Sequence, residues 1–394
     1  MSEQHNTVVI TGFARTPLGH FQGSLKMHSA TELGAIAIEA AVRRSGVDPT
    51  LVDEVLMGCV LSAGLGQAPA RQAAFISGLP LPIGCTTINK MCGSGMKAIM
   101  LANDAIKAQQ AKTIVAGGME SMSNTPYLLP KIHEGLQPGH RQLTDHTLFD
   151  GLQDPIEEKL MGCYAENCAE RYEITRKQQD EFARQSLLRA QTAIRKGYFD
   201  NEIEPVPGQC NGRLATIKQD EHPLTVDANK IVDLKPVFKP AGTVTAANSS
   251  CISDGAAALV LMSESEAINV QVKPLAKIIA QQTFAQHPAW FTTSPIFAIE
   301  KLLERLSLKV TDIDLFEINE AFAVVVLAAV RRLNLNMNKV NIHGGACALG
   351  HPIGASGARI IVTLLAALQR YDLHRGLAAI CIAGGEATAL ILER

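Results

Sequence analysis

The stretch Asn89-Lys90-Met91-Cys92-Gly93-Ser94-Gly95-Met96-Lys97 puts one cysteine on a tight Gly-Ser-Gly turn, directly before the apolar run Ala98 to Ile106. At a helix N-terminus, unpaired backbone N–H groups and the positive end of the helix dipole favour a thiolate, the reactive form of cysteine. Glycines there let the chain bend sharply and let a substrate come close. Three later stretches carry further polar or reactive side chains: Glu317-Ile318-Asn319-Glu320, the Gly-rich loop Asn341 to Arg359 with His351, and Ala378 to Glu386 with Cys381. One at a time, each has an ordinary structural reading. Cys92 is a small residue packed on a turn, Asn319 an N-cap, His351 a loop histidine and Cys381 part of a buried strand.

The elements that must position these residues alternate. Val8-Val9-Ile10, Val52 to Val60 and Thr113 to Ala116 read as strands, with helical spacing over Thr31 to Ser45, Gln67 to Ile76 and the run after Cys92. Such alternation predicts βαβ units and a mainly parallel sheet. From about Ser121 to Asn248 prolines punctuate the chain and apolar strands are few, although Ala165 to Tyr172 and Arg176 to Lys196 keep helical spacing. This segment reads as an insertion over a sheet core, and Tyr127 to Thr144 within it as an arm or oligomer-contact loop. The third part then repeats the first. Arg44 to Val55 can be laid on Arg305 to Phe316, and Ser94-Gly95 on Ser356-Gly357 at nearly the same offset. An apolar helix and a buried strand ending in a glycine pair follow in each, Gly117-Gly118 and Gly384-Gly385. Two similar α/β halves follow, not a solenoid, whose period is about 20–50 residues. Sites in such sheets gather at strand carboxyl ends and helix N-termini, which places Cys92 in one half opposite His351 and Gly385 in the other.

Composition narrows the function. With 394 residues the chain is long for one domain, and 47% apolar residues allow sizeable cores. A charged fraction of 19% and a net charge of −2 argue against nucleic acid. The polar start Met1 to Thr7 does not read as a signal peptide, and the longest apolar runs, such as Ala321 to Val330, are too short to span a bilayer. Nine cysteines without a CxxC pair indicate reduced thiols rather than disulfides or zinc. A cytoplasmic protein, without membrane or metal, is expected.

Several blocks in order, Cys92-Gly93-Ser94-Gly95, Ala116 to Ser123, Gly242 to Asn248, Ser253 to Ala257, Asn319 to Phe322, Gly350 to Arg359 and the Cys381 strand, resemble the thiolases over nearly the whole length. The resemblance implies an α/β thiolase fold layered α-β-α-β-α. Its first half would span 1–120, completed by about 249–271, its loop domain 121–248 and its second half 272–394. It implies that Cys92 becomes acylated, that His351 takes the Cys92 proton, and that Cys381 is a second acid/base. The N–H groups of Cys92 and Ala383 would form one oxyanion hole, and His351 with a water on Asn319 the other. Ser250 would contact the pantetheine arm of coenzyme A, and Met161, Ala321 and Phe322 would line the acyl pocket. No cofactor is implied; acetyl-CoA, acetoacetyl-CoA and CoA are substrates. The reaction implied is 2 acetyl-CoA ⇌ acetoacetyl-CoA + CoA, in the setting of fatty acid metabolism, by a homo-oligomer, dimer or tetramer. Three rivals are a degradative thiolase for longer chains, a decarboxylating ketoacyl synthase and a non-catalytic CoA-binding homologue. Leu160 stands where many short-chain members have histidine, Ala383 where a glycine is common, and His343 where an asparagine is usual. Pro223 and Lys230 occupy positions that commonly serve the adenine end.

Overall fold

The computed structural model describes residues 7–130, 135, 139–210 and 212–394. Its longer strands are β1 (Val8–Arg15), β2 (Glu54–Gly58), β3 (Gly84–Ile88), β4 (Thr113–Ser121), β5 (Ser253–Ser263), β6 (Ala276–Ala285), β7 (Leu315–Ile318), β8 (Arg375–Ile382) and β9 (Glu386–Glu393). With Gly19–His20 beside β5 they make one ten-stranded sheet in the order β7-β8-β9-β6-β1-β5-β4-β2-β3. The longer helices are α1 (Ala30–Ser45), α2 (Pro69–Ile76), α3 (Ser94–Lys107), α4 (Met161–Arg171), α5 (Arg176–Arg195), α6 (Ser294–Arg305), α7 (Ala323–Leu333) and α8 (Ile353–Arg370). Local signals set several ends. Ser29 and Glu32 form a capping box before α1, and Gly46 closes it at φ +73°.

The mainly parallel sheet expected from the alternation is not what forms. Only β2 with β3, β2 with β4, and β7 with β8 run parallel; the other neighbours are antiparallel. Parallel pairing needs a crossover of about a dozen residues or more. β8 and β9 are instead joined by the short turn Ala383-Gly384-Gly385, where both glycines take φ near +88° (+87° and +88°). β5 returns from the long insertion antiparallel to both its neighbours.

The repeat is visible in the strand order. The first half winds β1-β5-β4-β2-β3; the second winds β6-β9-β8-β7, followed by a parallel bridge from Phe316 to Val340 in place of a last strand. Two residue pairs, Val9 with Lys277 and Ile10 with Ala276, join the halves through β1 and β6. The glycine pairs, however, are not equivalent. Gly117 and Gly118 lie inside β4, opposite Ala258 and Ala257, whereas Gly384 and Gly385 form a turn.

Layering follows from three apolar clusters. α1 and α2 cover one face of the first-half strands with Leu33, Ile38 and Ala73. α6 and α7 cover the outer face of the second half with Ile299, Leu302 and Val325. Between the halves, Met96 and Ile99 of α3 share a core with Ile361 and Leu365 of α8. The helices alternate with the strands of each half in the order α-β-α-β-α. No helix among the described residues is long and apolar enough to cross a membrane.

Between β4 and β5 the described chain adds no strand to the main sheet. It contributes α4, α5 and two small ladders, Val206–Cys210 with Arg213–Ile217 and Tyr127–Leu128 with Thr144–Asp145. The latter closes the ends of the expected arm; its residues 131–134 and 136–138 lie outside the described residues. Arg15 of β1 anchors this segment. Its fully buried guanidinium donates to Glu202 at 2.6 Å and to Asp220 at 2.7 and 2.9 Å.

The two central helices meet at the repeated glycines. A Cβ on Gly357 would lie 2.5 Å from the Met96 nitrogen, and one on Gly95 would lie 2.9 Å from the Ala358 nitrogen. Backbone cannot give way as a side chain can. Gly357→Val is therefore expected to lower stability by about 3 kcal/mol, read from the urea midpoint. An unchanged midpoint would mean that the helices do not depend on this contact.

Candidate active site

Cys92 sits on the turn between β3 and α3, with Met91 in the left-handed region at φ +47°. The turn lies so close to the end of β8 that a Cβ on Gly93 would strike the Ile382 side chain. Its sulfur accepts from its own N–H and from the N–H of Ala383. The thiolate expected from the helix terminus does not prevail at rest. The first helical N–H groups are consumed locally, Gly93 donating to the Lys90 carbonyl at 3.1 Å and Ser94 to that of Met91 at 3.0 Å. Cys92 keeps partial exposure, yet the protein packed around its sulfur pushes the thiol up to about 11, and the Glu120 carboxylate adds to that. It needs a base to react.

His351 is that candidate base. It is buried, and its backbone N–H donates to the Cys251 carbonyl at 3.0 Å. Its Nδ1 is in hydrogen-bond contact with Ser356 Oγ, and Ser356 donates onward to the Pro352 carbonyl at 2.9 Å. With that hydroxyl proton committed, Nδ1 must carry the imidazole proton and Nε2 is left with a lone pair. Burial, and then the nearby Arg359, hold the imidazole neutral, with a pKa lowered to about 3.

Asn319 follows β7. Its N–H continues the ladder to the Ala379 carbonyl at 2.9 Å. It is not the helix cap expected of it, because α7 begins four residues later and Phe322 occupies the cap position. Its side chain instead points into the site, Nδ2 lying 3.5 Å from His351 Nε2 while Arg359 donates to Oδ1 at 3.5 Å. Cys381, near the end of β8, is 1% exposed. Burial raises its thiol well above the usual range, and the charge of Cys92 raises it further. The two sulfurs therefore sense each other. Cys92 also packs against the cluster of Val60, Leu61, Met122 and Ile353, the last of them two residues from His351. Cys92, His351, Asn319 and Cys381 thus converge from four separate chain segments.

The expected acyl-pocket residues share the next wall. Phe322 meets Phe238 and Phe291 edge-on, at 6.1 and 6.4 Å between ring centres. Ala321 belongs to the same cluster as Cys381, and Met161, the first residue of α4, packs against it. Ser250 donates its N–H to the Ala321 carbonyl at 3.0 Å and is half-buried. Ala383 is partly exposed and Leu160 is an exposed cap of α4. Two surface depressions, of ≈ 340 and ≈ 300 Å³, lie elsewhere and contain none of these residues. Among the described residues no cluster could hold a metal ion, and all eight described cysteines are free.

Three positioning residues escaped the sequence reading. Ser356 sets the His351 tautomer; its signal was the repeat, since Ser94 at the matching place in the first half also bonds back to the preceding turn, accepting from Lys90 N–H at 2.8 Å and donating to the Met91 carbonyl. Arg359 is the one charge in the buried face of α8 and fixes the Asn319 amide. Glu120, at the end of β4, accepts from the N–H groups of Val60, Leu61 and Gly354 at 2.9–3.1 Å and ties the first half to the start of α8. Burial outweighs those donors and lifts its carboxyl to about 7.

Residues 8–265 match the family model described as thiolase, N-terminal domain, and residues 272–394 that described as thiolase, C-terminal domain. An acetyl-CoA acetyltransferase of Arabidopsis thaliana is 50% identical over 389 residues, covering 98% of this chain and 96% of that protein. One from Cupriavidus necator is 48% identical, with 98% and 99% coverage. Among solved structures, the acetyl-CoA acetyltransferase of Bacillus anthracis superposes with a TM-score of 0.95 at 41% identity, covering 100% of both chains. The Acat5 thiolase of Ascaris suum in complex with coenzyme A gives 0.94 at 40% identity, with 98% and 100% coverage.

A neutral buried His351 makes the fold acid-sensitive. The unfolded chain takes up this proton as pH falls through 6.5, whereas the native site resists until about 3. Stability is therefore full above 6.5 and is lost across that window, by up to about 1.4 kcal/mol per pH unit for one proton. His351→Asn is expected to flatten the dependence of the urea midpoint on pH between 6 and 4. Equal slopes would show that His351 is already charged in the native protein.

Proposed function

The chain belongs to the thiolase family, and from that premise we infer that it is an acetyl-CoA C-acetyltransferase, interconverting two acetyl-CoA with acetoacetyl-CoA and CoA through an acetyl group on Cys92. The observation that carries this reading is a buried, neutral His351, its Nδ1 held by Ser356 and its Nε2 facing the Asn319 amide, together with two thiols, Cys92 and Cys381, that interact electrostatically.

In the first step Cys92 attacks the thioester carbonyl and its proton passes to His351 Nε2. The N–H groups of Cys92 and Ala383, which act on the Cys92 sulfur at rest, would serve the developing oxyanion; such a donor is worth about 3–4 kcal/mol of barrier. Cys381 protonates the departing CoA sulfur and becomes a thiolate. Acylation helps this, because acetyl-Cys92 can no longer carry the charge that raises the Cys381 thiol. A second acetyl-CoA then gives its α-proton to Cys381. The proton retained on His351, with a water held by Asn319, stabilises the enolate oxygen. The enolate attacks the acetyl carbon, and Cys92 leaves as a thiolate and regains its proton from His351. Protons balance, and no bound cofactor or metal is required.

Coenzyme A would run past Ser250, with Met161, Ala321 and Phe322 around the acyl group. The edge-on contacts of Phe322 with Phe238 and Phe291 favour a short acyl chain. Exposed apolar residues such as Phe149, Ile156 and Leu81 support a homo-oligomer, dimer or tetramer. Free thiols accord with action in the reducing cytoplasm.

Mass spectrometry after exposure to acetyl-CoA is expected to find acetyl on Cys92, and Cys92→Ala to lower turnover by a thousandfold or more, on the order of general-base and nucleophile losses. Cys381→Ser should acetylate more slowly, the CoA thiolate then leaving without its acid, but fail to condense, so acetyl-enzyme accumulates. Condensation intact in Cys381→Ser would favour a decarboxylating synthase, and no acetyl on Cys92 would favour a non-catalytic homologue. Thiolysis rates over a series of 3-ketoacyl-CoA lengths should peak at four carbons; a peak at six or more would make it a degradative thiolase.

A further inference from the structure

A second thiol and imidazole meet outside the catalytic group. Cys251 Sγ lies 3.0 Å from His222 Nε2, the ring's one hydrogen bond among the described residues. His222 Nδ1 is buried without a partner. The exposed His20 stacks on the same ring, at 5.3 Å between centres and 14° between planes. These residues come from three segments, and Glu221 fixes two of them. Its carboxylate accepts from the N–H groups of His20 and Ser24 and from the Ser24 hydroxyl, each at 2.9 Å. Cys251 as a residue is half-buried, although protein packs around its sulfur.

The placement gives this pair its meaning. Cys251 directly follows Ser250, and its carbonyl accepts the His351 N–H at 3.0 Å. A thiol with its own base therefore sits beside the path assigned to the pantetheine arm. The thiolase steps above use neither Cys251 nor His222.

The surroundings discriminate between electrophiles. The described hydrogen bonds give the Cys251 sulfur the His222 ring alone, whereas a thioester needs N–H donors at its carbonyl oxygen as well as a nucleophile and base. A disulfide needs none, because the charge passes to the leaving sulfur. At rest burial keeps both partners uncharged, raising the thiol to about 12 and lowering the imidazole to about 4. The proton must then move as the sulfur attacks, which is the task of an adjacent base.

We propose that Cys251, with His222 as its base, is a site of reversible thiolation by disulfides that carry the coenzyme A arm. This rests on the reading of Ser250 as the pantetheine contact. Cys251–SH attacks one sulfur of CoA–S–S–CoA. A Cys251–S–S–CoA bond forms, the CoA–S–S–CoA bond breaks, and the released CoA thiolate takes the proton from His222. The Cys251 sulfur is oxidised and one CoA sulfur is reduced. The attached group occupies the entry beside Ser250, so modification blocks acetyl-CoA. A reducing thiol reverses it.

The test incubates the full-length protein, in wild-type and Cys92→Ser forms, with CoA disulfide or with oxidised glutathione, followed by peptide mapping. Cys251 is expected to gain a CoA moiety that dithiothreitol removes, faster than the half-buried Cys85 and Cys163 do, and about tenfold faster with CoA disulfide than with oxidised glutathione at a rate that free CoA suppresses. Wild-type thiolysis activity, each sample referred to its own untreated rate, should fall in step with Cys251 labelling and return with dithiothreitol. His222→Gln should slow labelling about a hundredfold, with thermal melting to verify that it folds. Labelling of Cys251 no faster than of Cys85 and Cys163 in the wild-type protein overturns the proposal, as does acylation of Cys251 by acetyl-CoA in place of disulfide exchange. Equal rates with both disulfides overturn the role of the coenzyme A path. Acetoacetyl-CoA thiolysis by untreated enzyme tests the acetyltransferase reading alone, so the two can fail separately.

Discussion

The contact on which the structure depends is the backbone-to-backbone crossing of α3 and α8. Each helix brings a glycine to the crossing, Gly95 and Gly357, and each presses it against main chain of the other. Interiors pack at crystal density, so the distance between two helices is set by the side chains between them. With none between them here, the helix that follows Cys92 and the helix that follows His351 are held at a single separation. The serines preceding those glycines then diverge in use. Ser94 stiffens the turn that carries Cys92, while Ser356 grips the imidazole. One ancestral unit, used twice, supplies the nucleophile from one copy and the base from the other.

Burial determines the resting state of this site. Cys92, Cys381 and His351 are each pushed toward the uncharged form, and neither the α3 terminus nor the N–H groups on the Cys92 sulfur reverse that. A low-dielectric site whose reacting groups rest uncharged is costly to ionise and therefore responsive to whatever charge a substrate develops. Glu120 contributes differently. Three N–H donors from two loops converge on its carboxyl, so it closes the seam between the halves a few residues from the chemistry.

Buried ion pairs fix where the insertion lies. Arg15 leaves the sheet to reach Glu202 and Asp220, about two hundred residues away in sequence. Such pairs gain little net stability, because desolvation offsets attraction, but an incorrectly placed partner would leave a buried charge uncompensated. Their effect is to specify one arrangement of the loop segment over the sheet. The same loop holds His222, and Cys251 follows just after its end, so their pairing ties the insertion to the first half.

Local pattern determined a good deal of this protein. Apolar spacing and turn glycines marked helices α1, α3, α5 and α8, and the near-constant offset between Ser94-Gly95 and Ser356-Gly357 revealed the duplication. The motifs named Cys92, Asn319, His351 and Cys381. Strand direction was not legible, because it depends on how the chain returns: a three-residue turn before β9 and a long insertion before β5 make antiparallel neighbours that alternation alone does not foresee. Nor could spacing say that the helix terminus fails to ionise Cys92, since that balance is decided by the protein packed around the sulfur. Ser356, Arg359 and the Cys251–His222 pair acquire their roles only through neighbours distant in sequence. Residue identity determined which groups could react; the tertiary structure decided which of them meet, in which protonation state, because distance and dielectric are properties of the packed chain.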